Sequence, residues 1–413
     1  MNGSVCVRYL VKFCLALLCA CLFNAVHTGE KYPVDICYLL ADLKYSAKQG
    51  VKICEVQQGC LSLFNGDSFR GTYEESIHTA LVRTLALYNT NGWVVANTIA
   101  DRNLVSALAC SACWHRTKDI IELLRNPDFM HQAKQPVKDR YDCSSYQGFL
   151  YINWSQLYPI YDFQKRFPGM IVIDKSSFPF WIDKYTMTAL FAQDELLATL
   201  KPRWGNYKKI YTKELAAQIA QDLHGDIFVI KPRGEFLGNG VIITKRENLD
   251  DVLFSIITTQ GAADNDADLA YGVWQKDPFD SFIVEEFVAS DPIRVPHLNN
   301  KLYQPTMRVA FLLVYHNQRH QVHFLGGYWK TPPVSLDDEG DLMDQNKDIC
   351  EPPFYLAVDA HTMQMVQSQL SSALPLLHGK MLEFCANCPE EERHEPLKNS
   401  GVRIVLREVP LNG

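Results

Sequence analysis

The sequence contains no internal repeat and no low-complexity tract, which excludes solenoid and fibrous architectures. It also lacks an excess of basic charge. A net charge of -7 and an isoelectric point near 6.0 exclude a nucleic-acid binder that works through its overall field, and no clustered basic patch stands out. Its N-terminal apolar run, Phe13–Val26, is about 14 residues long, where a bilayer crossing takes roughly 20. That run follows Arg8 and Lys12, and its length suits the apolar region of a secretory leader. The rest is of ordinary globular composition: 413 residues with 47% hydrophobic content, enough for two or three domains with buried cores.

Residues 1–28 are therefore read as a signal peptide or a membrane or lipid anchor, with Cys21 the lipid acceptor in the second case. Export is the expected route, and any membrane contact is expected through this segment alone. Of 13 cysteines, Cys6, Cys14, Cys19 and Cys21 lie within it. Export makes disulfides the default for the others, whose odd number leaves at least one thiol unpaired within the chain. Cys110-x-x-Cys113 and Cys385-x-x-Cys388 have the spacing of zinc ligands but fall in different predicted domains.

From 29 to 175, short strands alternate with helical patterns. Strands are predicted at Val34–Leu40, Val51–Val56, Trp93–Ala96 and Ile171–Ile173, and helices near Tyr73–Tyr88, Asp101–Leu108 and Lys118–Leu124. This alternation predicts an N-terminal α/β domain with a largely parallel sheet. From 176 to 413 the pattern is mixed. A helix opens at Asp183-Lys184, and strands are predicted at Ser281–Val288, Met307–Tyr315 and Gln321–Leu325. Helices cover Leu249–Thr258 and Thr362–Cys385, and a last strand covers Val402–Val409. Asp337–Asp348, acidic and polar, reads as a solvated loop.

The most informative stretch is Phe228–Thr244. An apolar run ends in Lys231-Pro232, a loop with glycines at 234, 238 and 240 follows, and a β-branched run resumes at Val241. Glycine lacks the Cβ that would keep backbone N–H groups from closing over a polyphosphate, and a lysine on the entering strand supplies charge for its oxygens.

In order, Asp183-Lys184, Ile230-Lys231-Pro232 with its loop, Ile283-Val-Glu-Glu-Phe-Val288 and a strand carrying Arg308 resemble the ATP-grasp superfamily. Pro305–Val314 is similar to the arginine strand of tubulin-tyrosine-ligase-like enzymes. The resemblance spans about 171–328. It implies two α+β subdomains preceded by an α/β domain, with ATP and Mg²⁺ between the subdomains. By that pattern Lys184 and Lys231 would neutralise phosphates, and Gly234, Gly238 and Gly240 would form a lid. Glu285, Glu286 and Val288 would meet adenine, and Asp291 the ribose. Arg308 and Lys330 would act on the transferred phosphate.

The family's metal site is a strand pair with one acidic residue and, about a dozen positions later, Glu-x-Asn. At the C-terminus this is matched by Glu395, Glu408 and Asn412, although position 410 is proline. The implied activity is ATP-dependent ligation through an acyl phosphate. The substrates would be a small-molecule or peptide carboxylate and an amine, less often a thiol. Alternatives are a catalytically silent secreted binding protein, or an ATP-dependent phosphotransferase on the same nucleotide site.

Overall fold

The computed structural model describes residues 32–59, 76–95, 113–152, 164–181, 183–235, 238–258 and 272–387. The architecture is mixed α/β with several sheets. At its centre lies a five-stranded sheet in which every neighbouring pair is antiparallel. It contains β1 (Asp35–Ser46), β2 (Gly50–Gln58), β13 (Thr306–His316), β14 (Arg319–Lys330) and β15 (Tyr355–Ala357), in the order β15-β14-β13-β1-β2.

Both faces of this sheet are covered. Side chains alternate across a strand, so Cys37, Leu39, Ala41 and Leu43 pack with Val366, Leu370, Leu374 and Leu377 of a long helix, α9 (Ala360–Asn387). From the other face, Ile36, Tyr38 and Leu40 pack with Ile77 and Leu81 of α1 (Ile77–Leu85), and with Phe149 and Tyr151 of the next sheet. Ser76 caps α1 by accepting a bond from the Thr79 N–H.

That next sheet is parallel throughout and runs β4-β3-β5-β6. Its strands are β3 (Gly92–Val95), β4 (Trp114–Thr117), β5 (Gly148–Ile152) and β6 (Met170–Val172). Beside it lie the short helices α2 (Ile120–Arg125) and α3 (Pro127–Ala133), whose N-caps are Asp119 and Asn126. The predicted parallel sheet is thus present between 92 and 172. The strands predicted at 34–40 and 51–56 lie elsewhere, antiparallel to each other and with β1 bonded to β13. A run buried on both faces reads as a continuous apolar stretch whatever its partners' direction, so the pattern could not separate the two cases.

The third sheet, order β7-β10-β8-β9, is antiparallel. It comprises β7 (Trp204–Lys208), β8 (Ile227–Pro232), β9 (Ile242–Lys245) and β10 (Ser281–Glu286). Two amphipathic helices, α7 (Leu215–Leu223) and α8 (Leu249–Thr258), bury Ile219, Leu223, Leu249 and Leu253 against Phe228, Ile230 and Phe282. Residues of α4 (Phe178–Trp181), α5 (Lys184–Phe191) and α6 (Glu195–Thr199) join the core between the central sheet and α9. A two-stranded ribbon, β11 (Ile293–Val295) and β12 (Lys301–Tyr303), precedes β13.

The predicted cysteine chemistry is not what the described residues show. Cys37, Cys54, Cys113, Cys143 and Cys350 carry free thiols, and Cys37 and Cys143 are wholly buried. The helix predicted at 101–108, the strand at 402–409 and the leader lie outside the described residues. Among the described residues, no helix is long and apolar enough to cross a membrane.

Candidate functional site

A cleft opens where the central and third sheets face one another. Lys231, Gly238, Val241 and Ile243 of the β8–β9 hairpin line one wall. Glu285, Glu286, Phe287 and Val288 line the hinge, Asp42, Lys44, Glu55 and Gln57 the β1–β2 pair, and Arg308 and Lys330 the floor. One cavity therefore joins the glycine hairpin, the paired-glutamate strand and the arginine strand.

Two lysines stitch the sheets together at the hinge. Glu285, only 2% exposed, accepts from Lys201 Nζ at 3.0 Å and Lys231 Nζ at 2.5 Å. Both ammonium groups also donate to the Cys54 carbonyl on β2, at 3.2 and 3.1 Å. Burial opposes the charge on Glu285, but the two lysines overcome it and hold its carboxyl below the usual range. Glu285, expected to meet adenine, lines the cleft and is bonded to both lysines. Its carboxylate is the counter-ion of Lys201 and Lys231, with one lysine on each oxygen.

The other hinge residues divide. Glu286 pairs with Arg203 at 2.7 Å, and its own N–H donates to the Arg203 carbonyl, so that N–H is already engaged. Val288 lines the cleft. Asp291 does not. Its N–H donates to the Tyr45 carbonyl and its carboxylate accepts from the Ala47 N–H at 2.7 Å, which fastens the β1–β2 turn.

At the floor, Arg308 and Asp42 are direct cross-strand neighbours on β13 and β1. The guanidinium grips both carboxylate oxygens, Nε at 2.8 Å and Nη2 at 2.6 Å. Lys330 adds a third bond to Asp42 at 2.9 Å and pairs with Asp348 at 2.6 Å. Burial pushes the Asp42 carboxyl up, and the charges of Arg308 and Lys330 hold it far below the carboxylate range. Asp348 corrects the reading of 337–348 as a merely solvated loop, since its end folds back into the cleft. Lys44, also buried, donates to the Pro305 carbonyl at 3.1 Å, and burial pulls its ammonium below the usual lysine range.

Lys184 stands at the first position of α5, which Asp183 caps. Asp183 also accepts from Arg233 Nε at 2.8 Å, tying this helix start to the root of the hairpin. Lys184 Nζ lies 3.4 Å from Glu55. Gly234 is held by Asp277, whose Oδ1 accepts its N–H at 2.9 Å. Gly238 and Gly240 have φ of +74° and +69°, a region that side chains disfavour.

The sequence reading missed Lys201, Asp42, Glu55 and Gln57. Asp42 and Glu55 are register partners on β1 and β2, and Gln57 Nε2 donates to Asp42 at 3.3 Å. An acid followed thirteen positions later by Glu-x-amide is the arrangement sought at the C-terminus, with the same separation as Glu395 and Glu408. It was legible at 42–57 all along. Glu395, Glu408 and Asn412 lie outside the described residues.

Apart from the Arg203–Glu286 pair and the lining Lys347, six cations surround four carboxylates here. The cations are Lys44, Lys184, Lys201, Lys231, Arg308 and Lys330. The carboxylates are Asp42, Glu55, Glu285 and Asp348. Lys184 and Lys201 stand behind the lining, which itself carries five cations and five carboxylates once Lys347 and Glu286 are counted.

No family model and no curated protein matches the sequence. Among solved structures, the chain is similar to a Methylobacillus flagellatus KT protein provisionally named gamma-glutamylcysteine synthetase. Identity is 10% and the TM-score 0.44, over 86% of this chain and 91% of that one. At that depth the functional reading rests on the site.

Proposed function

We propose that the chain is an ATP-dependent carboxylate–amine ligase that uses Mg²⁺ and works through an acyl phosphate. The observation that carries this reading is the convergence of two sets of groups on one cleft. Oxygen donors from Asp42, Glu55 and Gln57 face the same space as Lys231, Arg308 and Lys330. Three oxygen-bearing side chains on adjacent strands suit a hard cation that keeps part of its water. Bound there, Mg²⁺ would offset phosphate charge during transfer. In this reading the metal hairpin precedes the nucleotide-binding sheet in the chain instead of following it. Spatially nothing is lost, because β1 lies directly against β13.

Each residue then has a task. Lys201 and Lys231, oriented by Glu285 and the Cys54 carbonyl, present fixed charge to the phosphates. Arg308 and Lys330 stabilise the phosphoryl group as it passes to a substrate carboxylate. The Gly238–Gly240 turn closes over the chain of phosphates and keeps water from the acyl phosphate. An amine then displaces phosphate to form an amide. Substrates are small-molecule or peptide carboxylates and amines.

The test is the rise in melting temperature with ATP and Mg²⁺. Wild type is expected to be stabilised, while Lys231→Ala and Glu55→Gln are not. Equal stabilisation of all three, or of none, would sink the proposal. A second reading, a catalytically silent binding protein, is favoured by one observation: Asp42 is already gripped by Arg308 and Lys330. ATP turnover measured with a panel of amino acids and peptides separates the two.

A further inference from the structure

A second polar cluster lies at the far end of β1, on the face that packs against α9. Asp35 and Cys37 project from the strand, and His378 meets them from the helix. The three are at most 1% exposed, and a carboxylate oxygen, a sulfur and a ring nitrogen lie within 4.8 Å of one another. Asp35 Oδ2 stands 3.0 Å from His378 Nε2, accepts the Ser176 hydroxyl at 2.5 Å and lies 3.3 Å from Cys37 Sγ. The other carboxylate oxygen, Oδ1, is buried with no partner among the described residues. Leaving such an oxygen bare is costly, so its presence points to a missing ligand.

We propose that Asp35, Cys37 and His378 bind a borderline divalent cation, zinc above all, that clamps β1 to α9. One sulfur, one nitrogen and one oxygen form a donor set that zinc accepts, and hard cations such as Mg²⁺ disfavour the thiolate. Ligand atoms around tetrahedral zinc stand roughly 3.3–3.8 Å apart for bonds of about 2.0–2.3 Å, so only small adjustments are needed. The other ring nitrogen of His378, Nδ1, lies 3.3 Å from His320 Nδ1, which leaves Nε2 for the metal.

The charges also balance. A dication with one carboxylate, one thiolate and a neutral imidazole forms a neutral centre, which a buried site tolerates better than a lone ion. Binding releases the thiol proton to solvent. A hydrolase-type relay is not what these atoms make, because Ser176 gives its hydrogen bond to Asp35 and not to His378. Entry is available from a cavity of about 330 Å³ lined by Asp35, Ser176 and Cys385, which is ample for a hydrated ion. Lys165 and Lys175 line the same cavity, so the ion is held by direct ligation and not by long-range attraction.

The test is a titration of the full chain, treated with chelator, with Co²⁺ and then Zn²⁺. One equivalent of Co²⁺ is expected to give the near-ultraviolet thiolate-to-metal charge-transfer band and the intense visible bands of a tetrahedral site. Zn²⁺ should bleach both and raise the melting temperature. Cys37→Ser should lose the charge-transfer band, while Cys113→Ser keeps it. A band that survives in Cys37→Ser, or no stoichiometric binding by wild type, overturns the proposal. Should Cys37→Ser fail to fold, X-ray absorption of the zinc-loaded wild type decides. One sulfur among nitrogen and oxygen neighbours supports the site, and a shell without sulfur, or with several, refutes it.

Discussion

Asp35 and Asp42 sit on the same strand, an odd number of positions apart, and so face opposite sides of the sheet. Asp42 looks into an open cleft, where a guanidinium and an ammonium occupy both its oxygens. Asp35 is buried beneath α9 beside a cavity, with one oxygen engaged and one bare among the described residues. Burial pushes both carboxyls up, and both are nonetheless held low. Asp35 is brought to about 2, chiefly by His378. The difference lies in what can replace the partners. In the cleft a phosphate or a cation can exchange with an ion pair from solvent. Under the helix only a group small enough to enter the core can do so.

The largest effects come from cutting each aspartate's main partner. His378→Leu leaves Asp35 buried without its imidazole partner and is expected to cost about 3–5 kcal/mol in urea unfolding of chelator-treated protein. Arg308→Leu should cost less, about 2 kcal/mol, because Lys330 still faces Asp42. Equal losses would erase the distinction between the two ends.

Acid distinguishes them next. Burial, and then the charge of His378, holds His320 at about 3 against an unperturbed 6.5. Burial alone holds His78 at about 4. A histidine kept neutral in the fold takes up its proton only on unfolding. Stability is therefore full above 6.5 and falls as pH drops below it, by up to about 1.4 kcal/mol per pH unit for each group. Glu285 and Asp42 stay ionised over the upper part of that window, since their folded values lie below their ordinary ones. Urea midpoints at about pH 7 and pH 5 should show a slope that His320→Gln reduces and Glu285→Gln leaves in place. An unchanged slope in His320→Gln would count against the buried end as its source.

The smallest expected effect is at the lip of the cleft. Gly238→Ala, at φ +74° with only Lys347 Cε among the described residues within 4 Å of the added carbon, should cost about 1 kcal/mol in unfolding. Gly240→Ala should cost more, because its Cβ would lie 2.6 Å from Val273 Cγ2. If the two cost the same, close approach contributes nothing there and the lip is set by backbone conformation alone.

Much of the fold was legible. The hairpin at 228–244, the helix at 249–258 and the helix beneath the central sheet carry their periodicity and turn residues locally, and the structure places them close to the predicted bounds. Within the site, Lys231, Gly238, Val288, Arg308 and Lys330 could be named because they lie on segments with distinctive local patterns, and all of them line the cleft. The two lysine partners of Glu285 were not legible. A charged pair on a strand does not reveal that one member will turn inward between two lysines from other elements. Lys201 and Asp348 carry no local signal at all, because each is recruited by a neighbour distant in the chain.

Local chemistry alone determined which segments become strands, helices and the glycine hairpin, since φ/ψ preference and apolar period act over a few residues. Only the tertiary structure decided that β1 and β2 leave the parallel sheet and lie against β13, bringing Asp42 to Arg308 across 266 positions. Strand pairing is a choice among partners whose apolar faces look alike in one dimension. It is resolved by burying both faces at once, and that energy exists only after the chain has closed on itself.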